Sequence, residues 1–114
     1  MPELRGLGAE AESRAAEYLL GAGYTIVTRR YRRPGGEVDI VALDGEVLVF
    51  VEVKCRRTAG FLPEESLGEA KLKSLRKIMG IYVAEMEAAH RRRRLDLIAI
   101  DVNGLRHHKD ILAP

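Results

Sequence analysis

The chain has too few cysteines to lock itself covalently. Cys55 is the single one among 114 residues, so no intramolecular disulfide framework can form, and a reducing cytoplasm is the expected location. Glutamine is absent and asparagine occurs once, at Asn103. Depletion of thermolabile amides fits a heat-adapted source, although GC-biased codon usage would favour the abundant arginine as well. No apolar run is long enough to span a bilayer, so no membrane partner is expected. The opening MPELRGLGAEAE lacks the apolar region of a signal peptide. Internal repeats, low-complexity segments and linkers are missing too. What remains is a globular composition, 46% apolar and 32% charged, expected to form one domain over residues 1–114 with one core.

A net charge of +2 conceals clustering. Arg29, Arg30, Arg32 and Arg33 form one group, Lys54, Arg56 and Arg57 a second, and Arg91 to Arg94 a third. Such clusters suit a polyanionic partner, and an ordinary solvated face is the plain alternative.

The stretch from Gly36 to Lys54, GEVDIVALDGEVLVFVEVK, reads as two strands joined by a tight turn. Asp44-Gly45 between β-rich runs is a two-residue hairpin signal. Centred there, the turn sets Val41 against Leu48, Asp39 against Phe50 and Glu37 against Glu52. Residues opposite each other, or two apart on a strand, share a face. Glu37, Asp39, Glu52 and Lys54 then project from one face at the end away from the turn, with Asp39 diagonal to Glu52. Val38, Ile40, Ala42, Val47, Val49, Val51 and Val53 make the other face uniformly apolar. Glu52 and Lys54 read alone as solvent-face residues of an antiparallel strand. Here the strand is too apolar for an edge, and Asp39 arrives from its partner. Charges in such a place persist where they are paired, metal-bound or functional.

Around this hairpin the chain reads α-β-β-β-α-β-β. A first helix covers about Gly8 to Leu20, with Ala11, Ala15, Ala16, Leu19 and Leu20 as its apolar stripe. Glu12 lies on the edge of that stripe, where it could look toward the acidic end of the sheet. A carboxylate near a helix N-terminus is also favoured by the macrodipole alone, and spacing leaves both roles open. Tyr24 to Tyr31 is the first strand. After Lys54 the run CRRTAGFLPEE is irregular, and Ser66-Leu67-Gly68-Glu69 fits a capping box for a helix reaching about Ala89. Leu75, Ile78, Met79, Tyr82, Val83 and Met86 form its core stripe, and Lys71 lies in its first half. Strands over Leu95–Val102 and Leu105–Ile111 follow, joined at Asn103-Gly104. The helical crossover between Val53 and Leu95 makes those two strands parallel neighbours. The fold class is α/β, a mixed central sheet flanked by helices with a short extra C-terminal strand.

Converging carboxylates repel unless a cation neutralises them, and all-oxygen ligation suits Mg²⁺ or Mn²⁺. Such an ion polarises a phosphoryl oxygen and acidifies a bound water. A lysine two residues from a ligand can hold that water. Basic flanks can hold a phosphate backbone. Other candidates are weaker. His90, His107 and His108 lack zinc spacing, and adjacent histidines on a strand face opposite ways. Cys55 should face away from Lys54, and Asp96 reads as a salt-bridge partner of the arginine loop or as a residue behind the site.

Asp39 with Glu52-Val53-Lys54 resembles the D…(D/E)-x-K signature of the restriction-endonuclease-like PD-(D/E)xK nuclease superfamily. Ala15–Leu19, Gly36–Val41, Val49–Lys54 and Arg94–Leu97 together resemble the YraN family of small, largely uncharacterised bacterial proteins, which is similar to archaeal Holliday junction resolvases. The resemblance implies an αβββαβ core and a metal-dependent nuclease acting on DNA more than RNA, including branched or repair intermediates. The alternative is an inactive nucleic-acid-binding module that keeps the fold. It implies Mg²⁺ or Mn²⁺ held by Asp39, Glu52 and the Val53 carbonyl, with Lys54 assisting the water and Glu12 as the helix-borne acid. Arg29, Arg30, Arg32, Arg33, Arg56, Arg57 and Lys71 are the candidate nucleic-acid contacts. Cutting two strands would call for a homodimer. The sequence departs from the family at Ala11, where Gly is usual, and at Arg30, where Asn is usual.

Overall fold

A computed structural model describes residues 2–58 and 60–114. Ala59, inside the irregular run after Lys54, lies outside the described residues. The order is α1 (Pro2–Gly21), β1 (Thr25–Arg33), β2 (Gly36–Asp44), β3 (Val47–Cys55), a 3-10 turn (Pro63–Ser66), α2 (Glu69–Glu85), β4 (Arg93–Asp101) and β5 (Gly104–His108). The five strands form one sheet in the order β1-β2-β3-β4-β5. Only β3 and β4 run parallel, because α2 carries the chain back between them; the other neighbours are antiparallel. This is the expected αβββαβ core with a short fifth strand. Among the described residues no helix is long and apolar enough to cross a membrane.

The helices cover opposite faces. Ala11, Ala15, Ala16 and Leu19 of α1 pack on Ile40, Ala42, Val49, Val51, Ile98 and Ile100. Leu75, Ile78, Met79, Tyr82 and Val83 of α2 pack on Tyr31, Val41, Leu48, Phe50 and Leu95. Both stripes lose the last member that their spacing suggests. Leu20 and Met86 are half exposed, because Gly21 closes α1 and Met86 is the C-cap of α2, where Glu87 at φ 51° turns the chain away. Ser66 does not cap α2. Its hydroxyl donates to Pro63 O and closes the 3-10 turn, and Gly68 is the N-cap.

The central hairpin turns one residue later than Asp44-Gly45 implies. Gly45 and Glu46 are its central residues, with Asp44 opposite Val47. Gly45 has φ 60° and Glu46 has no positive φ, so the turn needs one left-handed residue, the pattern of a type II′ hairpin. Asp44 stays at the strand end, tied to Arg94 Nη1 at 3.2 Å. Val41 therefore faces Phe50 rather than Leu48. A slip of two positions leaves the side chains paired between Ile40 and Val51 on their expected faces, whereas a slip of one would have exchanged the faces. The second hairpin is offset as well: Asp101 pairs with Gly104, so Val102 and Asn103 form the turn.

Candidate metal centre at the end of the central hairpin

The β2–β3 ladder ends at Ile40 opposite Val51. Beyond it β2 departs from simple alternation. Val38 belongs to the α2-side core although Ile40, two residues on, belongs to the α1 side. The uniform apolar face expected from Val38 onward is thus broken at Asp39. Arg30 stands at the matching position of β1, between the pairs Arg29–Ile40 and Tyr31–Val38, and has the left-handed φ of 54°. That conformation resets which way the following side chains point.

Asp39 occupies the gap where β2 leaves β3. Its Oδ2 accepts the Val53 amide at 2.8 Å, in place of a strand partner. The N–H and C=O of one strand residue point toward the same neighbouring strand, so the Val53 carbonyl also faces this gap. Continued by one step, the register sets Asp39 directly opposite Glu52 rather than diagonal to it. Burial, then the charge of Glu52 and a hydrogen bond with it, push the Asp39 carboxyl up to about 7, against the Val53 amide and Lys71. Glu52 is 3% exposed. Its Oε2 receives Lys54 Nζ at 3.4 Å and Lys71 Nζ at 3.3 Å. The structure thus brings together Asp39, Glu52, Lys54 and the Val53 backbone from one hairpin, and adds Lys71 from α2.

The donors fit a hard divalent cation in chemistry: two adjacent carboxyls, one of them raised by burial and by the other's charge, and a carbonyl edge facing the gap. They stop short of a larger set, since no three His, Cys, Asp or Glu side chains form a ligand group among the described residues. Glu37 is drawn to Arg32 at 3.2 Å. Glu12 is buried as its position on the stripe implies, but its partners are Arg29 Nε at 3.1 Å and Arg30 Nε at 3.3 Å. Arg30, which stands across from Asp39 in the β1–β2 register, is thus committed to Glu12.

A family model for UPF0102, an uncharacterised protein family, matches residues 11–100. The chain belongs to the UPF0102 family. It is 42% identical over 113 residues to a UPF0102 protein of Carboxydothermus hydrogenoformans, covering 95% of this chain and 96% of that one. A UPF0102 protein of Beutenbergia cavernae is 42% identical over 95 residues, covering 82% and 80% of the two chains. One from Persephonella marina is 36% identical over 104 residues, covering 90% of each. The expected membership of a family of uncharacterised bacterial proteins is borne out.

In this UPF0102 chain the arginine groups are less free than their clustering suggests. Besides the pairs on Glu12 and Glu37, Arg33 forms a two-pronged pair with Glu85, at 2.9 and 2.6 Å, and lies over the Tyr31 ring. Arg57 reaches Glu10 at 3.3 Å. Arg56 and Arg57, with Arg14 and Cys55, line a cavity of about 360 Å³ on the α1 side, which Asp39 and Glu52 do not line. Cys55 faces away from Lys54, as alternation requires.

Asp96 belongs to a separate buried cluster. It is fully buried and accepts Arg94 Nε at 3.0 Å, His107 Nε2 at 2.8 Å and the Asp110 amide at 2.9 Å. Burial pushes its carboxyl up, but the bonds from His107, Arg94 and Asp110 prevail and hold it below the usual range. The bond to Arg94 follows from the sequence; those to His107 and Asp110 come from β5 and the tail. His108 points the other way, to Glu64 at 2.8 Å.

Proposed function

We infer that the chain is a divalent-cation-dependent nuclease that hydrolyses phosphodiester bonds in DNA, with branched and repair intermediates as the first substrates to test. The single observation that supports this most is the Asp39–Glu52 pair. The two carboxyls lie side by side where β2 leaves β3, and burial with mutual repulsion raises Asp39 in the absence of a cation between them. Asp39, Glu52 and the Val53 carbonyl would hold Mg²⁺ or Mn²⁺. When bound, that ion polarises a phosphoryl oxygen and lowers the pKa of a water. Lys54 holds the attacking water by donating to its oxygen, which leaves a lone pair free for phosphorus. Water oxygen joins phosphorus as the bond to the sugar oxygen breaks; the attacking water gives up a proton to solvent, and the departing sugar oxygen takes one up from solvent and leaves as a hydroxyl. Glu12 keeps Arg29 and Arg30 against the back of the site rather than acting as a ligand. One chain carries one such site, so cutting both strands of a duplex calls for a homodimer.

The test is cleavage of a panel of branched, single-stranded and linear DNA and RNA with Mn²⁺ or Mg²⁺. No cutting above an Asp39→Ala, Lys54→Ala double variant refutes the reading. A second reading, a nucleic-acid-binding module without turnover, is favoured by the pairing of Glu12 with arginines instead of with Asp39 and Glu52. It predicts salt-sensitive binding that survives Glu52→Gln, and no cleavage.

A further inference from the structure

Glu52 Oε2 carries more positive charge than one carboxylate needs. Lys54 and Lys71 both lie on this one oxygen, at 3.4 and 3.3 Å. Two ammoniums held on one oxygen repel each other. They are also tethered differently. Lys54 extends from β3, two residues from Glu52 on a strand paired with β4 through Cys55. Lys71 extends from the first turn of α2 and is the more exposed, at 36% of its side chain against 25%. It belongs to the basic first half of that helix, with Lys73, Arg76 and Lys77. A flexible four-carbon stem with a hydrated point charge at its end exchanges partners readily. Lys71 is therefore the ammonium that can leave.

We propose that Lys71 is a displaceable counter-ion of Glu52: it rests on Oε2 in the cation-free protein and moves to a non-bridging phosphate oxygen of nucleic acid when a divalent cation is bound at Asp39 and Glu52. This rests on the nuclease-site reading. It makes the two binding events cooperative. Lys71 opposes the cation in the free protein and no longer does so once phosphate receives it, and by linkage the cation raises nucleic-acid affinity by the same factor.

The experiment uses Lys71→Met in the full chain, with Lys71→Gln as a second variant should Met disturb α2, and Lys71→Arg as the charge-keeping control. Mn²⁺ binding is titrated by the electron paramagnetic resonance of the free ion, without nucleic acid. Affinity for a short DNA duplex is measured against salt, with Mn²⁺ and with EDTA. Loss of Lys71 is expected to tighten Mn²⁺ binding by about fivefold or more. It should also lower the salt slope by about one in Mn²⁺, with no change in EDTA. Lys71→Arg should keep the wild-type slope. Unchanged Mn²⁺ affinity together with unchanged slopes overturns the proposal, as does an equal loss of slope in both conditions, which marks a permanent contact. A fall in melting temperature with both readouts unmoved assigns Lys71 a purely structural role and overturns it too. If wild type binds Mn²⁺ no better than Asp39→Ala, the nuclease-site reading itself fails and the proposal falls with it.

Discussion

Replacing Asp39 with Asn should make the cation-free protein more stable at neutral pH. The Asp39 carboxyl is raised from 3.8 to about 7 by burial and by Glu52. Between those values the fold keeps a proton that the unfolded chain has lost. The stability this group contributes is complete below 3.8 and is lost as pH rises toward about 7. At full strength that interval is worth about 4 kcal/mol; Asp39 is only partly buried, and solvent screening reduces it to about 2 kcal/mol. Asn retains an oxygen for the Val53 amide and an N–H for Glu52, and it cannot ionise. Urea unfolding followed by circular dichroism in EDTA should therefore find the two proteins within about 0.5 kcal/mol near pH ~4. Near pH ~8 the variant should lead by about 2 kcal/mol, or roughly 8 °C in melting temperature. Excess Mn²⁺ near pH ~8 should narrow or reverse the gap, because only wild type gains binding energy. Stability curves that stay parallel across this pH range would refute the reasoning, since the Asp39–Glu52 pair would then not hold a proton in the fold.

Asp96→Ala should cost about 3–5 kcal/mol, since it leaves a mostly buried Arg94 uncompensated; a loss under about 1 kcal/mol in urea unfolding would mean that the cluster is solvated. Arg30→Asn should be tolerated within about 1 kcal/mol, since Asn accepts a left-handed backbone and Arg29 still holds Glu12. Arg30→Val should be worse than Asn by a further ~1–2 kcal/mol, and equal melting temperatures for the two would argue against the strained backbone. Glu64, lowered to about 2 chiefly by Arg106, contributes stability that is present above pH 4.5 and lost as pH falls toward about 2. Glu64→Gln should flatten that acid limb and lower the plateau above pH 4.5, and an unchanged acid limb in urea unfolding would show that the carboxylate is not the titrating group.

The chemistry was legible in the hairpin because face parity is a robust property of a strand. The turn was misplaced by one residue, yet Asp39, Glu52 and Lys54 still converged, since the error moved the pairing by two. Parity failed at Asp39, across from Arg30, whose left-handed φ is a conformation that nothing in an arginine announces. Contacts between distant elements were the other blind spot. Lys71 reaching Glu52, and the arginines of β1 finding Glu12, Glu37 and Glu85, depend on how α1 and α2 settle on the sheet. Charge clustering along the chain therefore overstated how much basic surface is free.

The bond from the Val53 amide to Asp39 gives the site its own reporter. Other β3 amides facing β2 exchange their hydrogens when strands separate, whereas this one exchanges when a single side chain rotates. Its nuclear magnetic resonance shift and deuterium exchange should therefore track the state of one carboxylate. A titration with acid or metal could be read at that peak while the rest of the sheet stays silent.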